Sequence, residues 1–219
     1  MNPFRYTLVA DGPSDRSLLP IIDWVLASLE LTVGIAGQMA DFRYLTTPPS
    51  GLVARIRLAF TQYPCDLLFI HRDAEAERRE TRAEEIRAAS QAAAVPTYVP
   101  VIPVRMTEAW LLIDENAIRR SADNPSGTNP LPLPAIGTLE ATQDPKRVLH
   151  ECLLVACDLG RRRRDQFQRR IGERVQRVAF LINDFGPLER LPAFRAFKDA
   201  THSAVERILA ADGGGSPED

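Results

Sequence analysis

The sequence predicts an α/β fold: a mostly parallel sheet flanked by helices, with an all-helical C-terminal extension. The first half alternates short apolar segments with amphipathic segments of helical period. One run, residues 66–72, is almost continuously apolar, which is typical of a strand buried on both faces. Beyond a proline-rich stretch, only helical patterns follow. This alternation favours parallel strands joined by crossover helices.

The first strand–helix pair is expected at the N-terminus. Residues 5–10 form the strand, and the Asp-Gly-Pro-Ser turn at residues 11–14 ends it. A helix over residues 15–29 follows, with Ser14 as its N-cap, because small hydroxyl side chains satisfy the free N–H groups there. Pro20 lies inside this helix and is expected to kink it.

Three more pairs complete the predicted sheet. The last strand contains Pro100 and Pro103, which suit an edge position because proline cannot donate to a strand ladder. Thr107 is the candidate cap of the helix after it. The strands are expected at residues 42–46, 66–72 and 97–104, and the helices at residues 52–63, 76–94 and 107–114.

The second half lacks strand patterns. Its proline-rich beginning predicts a loop, and helices are expected at residues 145–158, 164–183 and 194–211. The predicted organisation is an α/β domain over residues 1–122, a linker over 123–145, a helical extension over 146–211 and a disordered tail over 212–219.

Composition excludes several functional classes. The 219 residues carry a net charge of −2, so bulk charge indicates no nucleic-acid or membrane partner. Three scattered cysteines without CxxC spacing favour reduced thiols. No apolar run approaches the ~20 residues of a membrane helix, and no signal-peptide pattern begins the chain. We expect a cytoplasmic protein.

Acidic residues follow two of the predicted strands. Asp11 follows the first, and Asp73 and Glu75 follow the apolar run. Because parallel strands end at one edge of a sheet, these carboxylates are expected to meet and to hold Mg²⁺ or Mn²⁺. The alternative is structural, with Asp11 as a turn residue and Asp73 as a helix cap.

The same strings carry a resemblance to a known superfamily. Residues 9–15 (VADGPSD) and 69–75 (FIHRDAE) resemble the two acidic motifs of the TOPRIM fold, found in topoisomerases, bacterial primases and OLD nucleases. The resemblance implies a TOPRIM-like Rossmannoid fold in which Asp11 replaces the family's glutamate. Asp73 and Glu75 then occupy the Asp-x-Asp positions. The side chain of Asp11 is one methylene shorter than that glutamate, and the side chain of Glu75 is one methylene longer than the usual aspartate. Either the two exchanges compensate and keep the total reach of the carboxylates into the cavity, or they mark a weakened or lost site.

Further segments resemble stand-alone TOPRIM-like proteins from prokaryotic mobile or defence gene clusters. They are residues 103–114 (PVRMTEAWLLID), 184–188 and 191–194. Within the first, Glu108 is a candidate metal ligand or general base, or else an acid at a helix start. Arg105 is a candidate phosphate clamp or the partner of a structural ion pair. His71 shares a strand face with Asp73 and either contacts phosphate, orients Asp73 or is structural.

A basic tract follows in the helical extension. On one helix, Arg163, Arg170, Arg174 and Arg177 would share a face and contact a nucleic-acid backbone. The alternative is a solvated surface in which these arginines pair with nearby acids.

These features predict a Mg²⁺-dependent nuclease in an anti-phage defence or toxin-type system, with Asp11, Asp73, Glu75 and Glu108 catalytic. A non-catalytic TOPRIM-like subunit that partners an ATPase is the alternative, and a primase-like nucleotidyl transferase ranks last. Self-association is left open.

Overall fold

The computed structural model describes residues 2–75 and 77–213. In this part of the chain, four parallel strands form one sheet in the order β2-β1-β3-β4. The strands are β1 (Phe4–Val9), β2 (Ile35–Met39), β3 (Leu67–His71) and β4 (Tyr98–Val101). The predicted parallel α/β architecture is confirmed, with β4 at an edge.

Helices cover both faces of the sheet. The α-helices are α1 (Leu19–Ala27), α2 (Leu52–Gln62), α3 (Arg79–Ala92), α4 (Glu115–Ser121), α5 (Pro145–Ala156), α6 (Arg161–Arg169), α7 (Ile171–Leu181) and α8 (Pro192–Gly213). Short 3₁₀ helices lie at Pro13–Leu18, Thr107–Leu111, Ile136–Ala141 and Gly186–Arg190. Among the described residues, no helix combines the length and apolarity that crossing a membrane requires.

Each face of the sheet has its own apolar core. Leu8 and Phe69 point to the face covered by α1, α8 and the other helices of the second half. Val9 and Ile70 point to the opposite face, which α2 and α3 cover. Alternate residues of a strand point to opposite faces, so a sheet covered on both sides has apolar residues throughout.

The second strand is not where the sequence predicted it. Residues 42–46 form turns, and the strand is Ile35–Met39 instead. Its central residues are exposed, and Gly37 interrupts its apolar pattern, so this edge strand has a weak sequence signal. Pairing with β1 in the register Tyr6↔Gly37 forms the strand.

Gly37 is required by the ring of Tyr6. A Cβ at position 37 would lie 2.2 Å from Tyr6 Cζ. The ring has little freedom to move, because the Tyr6 hydroxyl donates to Asp23 Oδ1 at 2.7 Å and the side chain is fully buried. The exposed edge of the sheet therefore tolerates no side chain at this position.

We expect Gly37→Ala to lower the free energy of unfolding by about 1–3 kcal/mol, the usual cost of overpacking. Urea unfolding followed by circular dichroism measures the change. Gly34→Ala is the matched control, because nothing lies within 4 Å of a Cβ there. Equal stability of the two variants would contradict the assigned packing.

Helix boundaries differ from the prediction at three places. Pro20 lies in the first turn of α1, where proline is tolerated, and does not kink the helix. Gly12, not Ser14, precedes the Pro13–Leu18 helix, and its N–H donates to Asp15 Oδ2 at 2.9 Å. Similarly, Met106 rather than Thr107 precedes the Thr107–Leu111 helix.

The helix boundaries in the second half of the chain also differ from those predicted. The single helix expected over residues 164–183 is divided into α6 and α7 at Arg170, whose φ of −112° and ψ of 17° leave helical geometry. The last helix continues to Gly213, so the first two residues of the predicted tail are helical. Residues 214–219 of that tail lie outside the described part.

Candidate active-site crevice

The crevice lies where β1 and β3 end. The chain passes from β1 to β2 on one side and then to β3 on the other, which makes this the switch point of the sheet. Ligands of open α/β sheets bind at such points. A cavity of about 330 Å³ lies there. Its walls carry four carboxylates and three basic side chains: Asp11, Asp15, Asp73, Glu75, His71, Arg72 and Arg82.

Asp73 faces the start of the Thr107–Leu111 helix. Its Oδ1 accepts the Thr107 N–H at 3.0 Å and lies 3.5 Å from His71 Nε2. His71 Nδ1 is 2.9 Å from the carbonyl oxygen of Val101. A carbonyl can only accept, so the proton of a neutral His71 lies on Nδ1. Two acceptor atoms, Nε2 and Oδ1, then face each other, an arrangement that favours a proton or cation between them.

Burial and nearby charges shift the pKa values of the Asp73 and Glu108 carboxyl groups. Burial raises the pKa of Asp73 to about 6; His71 opposes the rise, and the carboxylates of Asp15 and Glu108 add to it. Burial also raises the pKa of Glu108, with Lys146 opposing and Asp15 adding. Like charges held away from water destabilise one another, so this cluster favours a counter-ion.

Asp15 is the residue that the sequence analysis did not assign to the site. It lines the crevice and acts electrostatically on both Asp73 and Glu108. The sequence feature that points to Asp15 is its position in the string VADGPSD, four residues after Asp11. Asp15 lies in the 3₁₀ helix Pro13–Leu18, where an α-helix was expected, and its Oδ2 accepts the Gly12 N–H at 2.9 Å.

Asp11 and Glu75 belong to a chain of alternating charges. Arg55 Nη1 lies 2.6 Å from Asp11 Oδ1, and Arg72 Nε lies 3.3 Å from Asp11 Oδ2. Glu85 lies 2.9 Å from both Arg72 and Arg82, and Arg82 lies 3.5 Å from Glu75. We call Arg55, Asp11, Arg72, Glu85, Arg82 and Glu75 the charge chain. Both oxygens of Asp11 are thus already paired.

The three predicted metal ligands line one cavity but do not converge on one point. Asp73 turns towards Thr107, whereas Asp11 and Glu75 are held in the charge chain. Over residues 2–75 and 77–213, no three His, Cys, Asp or Glu side chains lie close enough to hold a metal ion. An ion in this crevice would require Asp11 or Glu75 to leave an arginine.

Glu75 and Arg105 meet through their backbones. The Glu75 N–H donates to the Arg105 carbonyl at 2.9 Å, and both residues have positive φ, 53° and 66°. Non-glycine residues rarely adopt this conformation, and it concentrates at functional sites. The contact joins the loops after β3 and β4 at the rim of the crevice. Glu75 is therefore on a loop and not on an extension of β3.

The predicted arginine stripe is divided. Because α6 and α7 are separate, Arg163 lies on a different helix from Arg174 and Arg177. Arg174 and Arg177 each lie 2.6 Å from Asp123, and Arg170 lies 2.7 Å from Glu173. These pairs match the alternative interpretation of a solvated, acid-paired surface.

In comparisons with known proteins, no protein-family model, curated protein or solved structure matches the chain.

Proposed function

We propose that the protein is a Mg²⁺-dependent nuclease on a TOPRIM-like fold, with Mn²⁺ able to replace Mg²⁺. The observation that carries this proposal is the half-buried Asp73, placed against His71 and within the field of Asp15 and Glu108 at the carboxyl end of β3. Hard carboxylate oxygens are the ligands that Mg²⁺ prefers. A crevice with four of them suits a divalent ion better than an anionic group alone.

The residues of the crevice fall into three proposed roles: metal ligands, a general base and phosphate contacts. Asp73 and Asp15 would hold the ion, joined by Asp11 or Glu75 once either leaves its arginine. A bound divalent ion neutralises phosphate charge and lowers the pKa of an attacking water. Glu108 is the candidate to accept the proton of that water, with Asp11 as the second candidate. Arg105, whose backbone lies at the rim, is the candidate contact to the scissile phosphate. Arg72 is already paired with Asp11 and Glu85.

A second function has its own observation. The charge chain occupies Asp11 and Glu75, as expected for a site that has lost its metal. The protein would then be a non-catalytic subunit that recognises nucleic acid or a partner ATPase. A place in a defence or toxin-type system belongs to both proposals and rests on the resemblance.

Asp15→Asn tests the enzyme directly. We expect the wild-type chain to bind Mn²⁺ in calorimetric titrations and to cleave DNA or RNA only with Mg²⁺ or Mn²⁺. Loss of one ligand should weaken Mn²⁺ binding and cleavage at least about tenfold, because a charged ligand contributes more than 1.4 kcal/mol.

Asp165→Asn is the matched control, since Asp165 is exposed on α6. It removes the same charge from the chain but not from the crevice. Absence of both metal binding and cleavage in the wild type would overturn the nuclease proposal and favour the non-catalytic subunit.

A further inference from the structure

A second cavity adjoins the crevice at the carboxyl ends of β1 and β2. Its volume is about 400 Å³, and Asp11 and Gly12 line both cavities. Pockets that bind small organic ligands typically measure about 300–1,000 Å³. The nuclease proposed above does not use this space.

The cavity wall carries fixed positive charge. Arg16, Arg43 and Arg55 line it against two aspartates, Asp11 and Asp41, for a formal charge of +1. Arg43 donates three hydrogen bonds to the carboxylate of Asp41, from Nε at 2.9 and 3.2 Å and from Nη2 at 2.6 Å. Guanidinium groups suit phosphate, because they can donate two parallel hydrogen bonds to it.

The rest of the wall is largely apolar. Met39, Phe42, Pro48 and Pro49 line it, and Phe42 is buried. Gln176 of α7 closes one side and donates to the Pro13 carbonyl at 3.0 Å. Flat apolar side chains beside an amide suit a heterocyclic base, whose faces are apolar and whose edges form hydrogen bonds.

An exposed aromatic residue lies beside the cavity. Tyr44 is 87% exposed, and its ring centroid is 5.9 Å from the guanidinium carbon of Arg43. An aromatic ring next to an arginine is a platform on which the bases of single strands stack. A nucleotide chain that leaves the cavity would therefore find a second contact at Tyr44.

We propose that this cavity binds one nucleotide unit, with its phosphate on Arg16 and Arg55 and its base against Phe42. The unit is either a free nucleotide or part of a single strand that continues over Tyr44. Both sources share the same phosphate-plus-base chemistry. The site shares Asp11 with the crevice, but its test requires neither metal nor cleavage, so its failure and that of the nuclease proposal can be told apart.

The test uses the full chain in EDTA, so that no metal-dependent cleavage interferes. The probes are AMP and adenosine in calorimetric titrations and 5′-fluorescein-labelled hexathymidylate in anisotropy titrations. We expect AMP to bind about tenfold or more tightly than adenosine, since the phosphate contacts are charge-assisted. Arg16→Gln should weaken AMP binding about tenfold. Arg195→Gln, on the exposed surface of α8, should change nothing.

Tyr44→Ala distinguishes the two sources of the nucleotide unit. If the affinity for hexathymidylate falls about tenfold while the affinity for AMP is unchanged, the site binds a single strand. Equal affinity of AMP and hexathymidylate, both insensitive to Tyr44→Ala, assigns a free nucleotide. The proposal is overturned if neither AMP nor hexathymidylate binds with a Kd below about 1 mM. It is also overturned if the Arg16→Gln and Arg195→Gln variants bind AMP with equal affinity. A chain that binds AMP here but cleaves nothing supports this site and counts against the nuclease.

Discussion

Asp73→Asn is expected to abolish metal-dependent cleavage and, at the same time, to stabilise the metal-free protein at pH 7.5. Cleavage should fall about 10³-fold, because in the proposed nuclease this carboxylate is the central metal ligand, and a bound metal contributes several kcal/mol of charge stabilisation. The amide keeps an oxygen to accept the Thr107 N–H, which is 3.0 Å from Asp73 Oδ1. The negative charge of this half-buried carboxylate is lost, and with it the cost of its partial desolvation.

The sign of the pH dependence follows from the direction of the pKa shift. The pKa of Asp73 rises from 3.8 to about 6 on folding, so the folded chain holds this proton more tightly than the unfolded chain. The contribution of Asp73 to the free energy of unfolding therefore decreases as pH rises from about 4 to 7. A shift of this size corresponds to about 3 kcal/mol at most. Asp73 is 30% exposed, so solvent screening reduces the expected value to about 1–2 kcal/mol.

Thermal unfolding in EDTA at pH 4 and pH 7.5 measures this effect. We expect Asp73→Asn to melt about 2–6 °C above the wild type at pH 7.5 and close to it at pH 4. Asp114→Asn is the matched control. Asp114 caps α4 by accepting the Ala117 N–H at 2.9 Å, and asparagine caps about as well. A lower melting temperature for Asp73→Asn at pH 7.5 would mean that Asp73 is a structural residue.

The position of the acidic cluster could be predicted because it follows from local patterns. Apolar runs locate β1 and β3, and the rule that parallel strands end at one edge places Asp11 and Asp73 beside one crevice. The strand β2 escaped prediction because its central residues are exposed and Gly37 is fitted to Tyr6 of the neighbouring strand. That requirement lies in the tertiary packing and not in residues 35–39 themselves.

The partners of the carboxylates could not be predicted, since they come from distant parts of the chain. Arg55 is 44 residues from Asp11, and Thr107 is 34 residues from Asp73. One sequence does not tell which of several arginines reaches a given carboxylate. The charge chain, which decides whether Asp11 is available to an ion, is thus a result of the structure alone.

Phe197→Ala is expected to have the largest effect on stability. Phe197 lies on α8 with 1% exposure, and its ring is 6.1 Å from that of Phe69 on β3 and 5.8 Å from that of Trp110. Removing a buried phenyl ring typically costs about 3–5 kcal/mol, because the transfer energy is lost and a cavity is left. The melting temperature should fall by about 10 °C. Urea unfolding, followed by tryptophan fluorescence and circular dichroism, measures the loss.

This variant also tests how α8 is coupled to the crevice. Trp110 lies in the 3₁₀ helix that begins with Thr107, whose N–H binds Asp73. If α8 and the sheet share one core, both probes should report a single transition shifted to lower urea. Phe180→Ala, at a position 53% exposed on α7, is the control and should change the free energy of unfolding by less than about 0.5 kcal/mol. Two separate transitions, or equal effects of the two variants, would show that α8 does not stabilise the sheet. The positioning of Thr107 against Asp73 would then depend on β4 and the helices before residue 192.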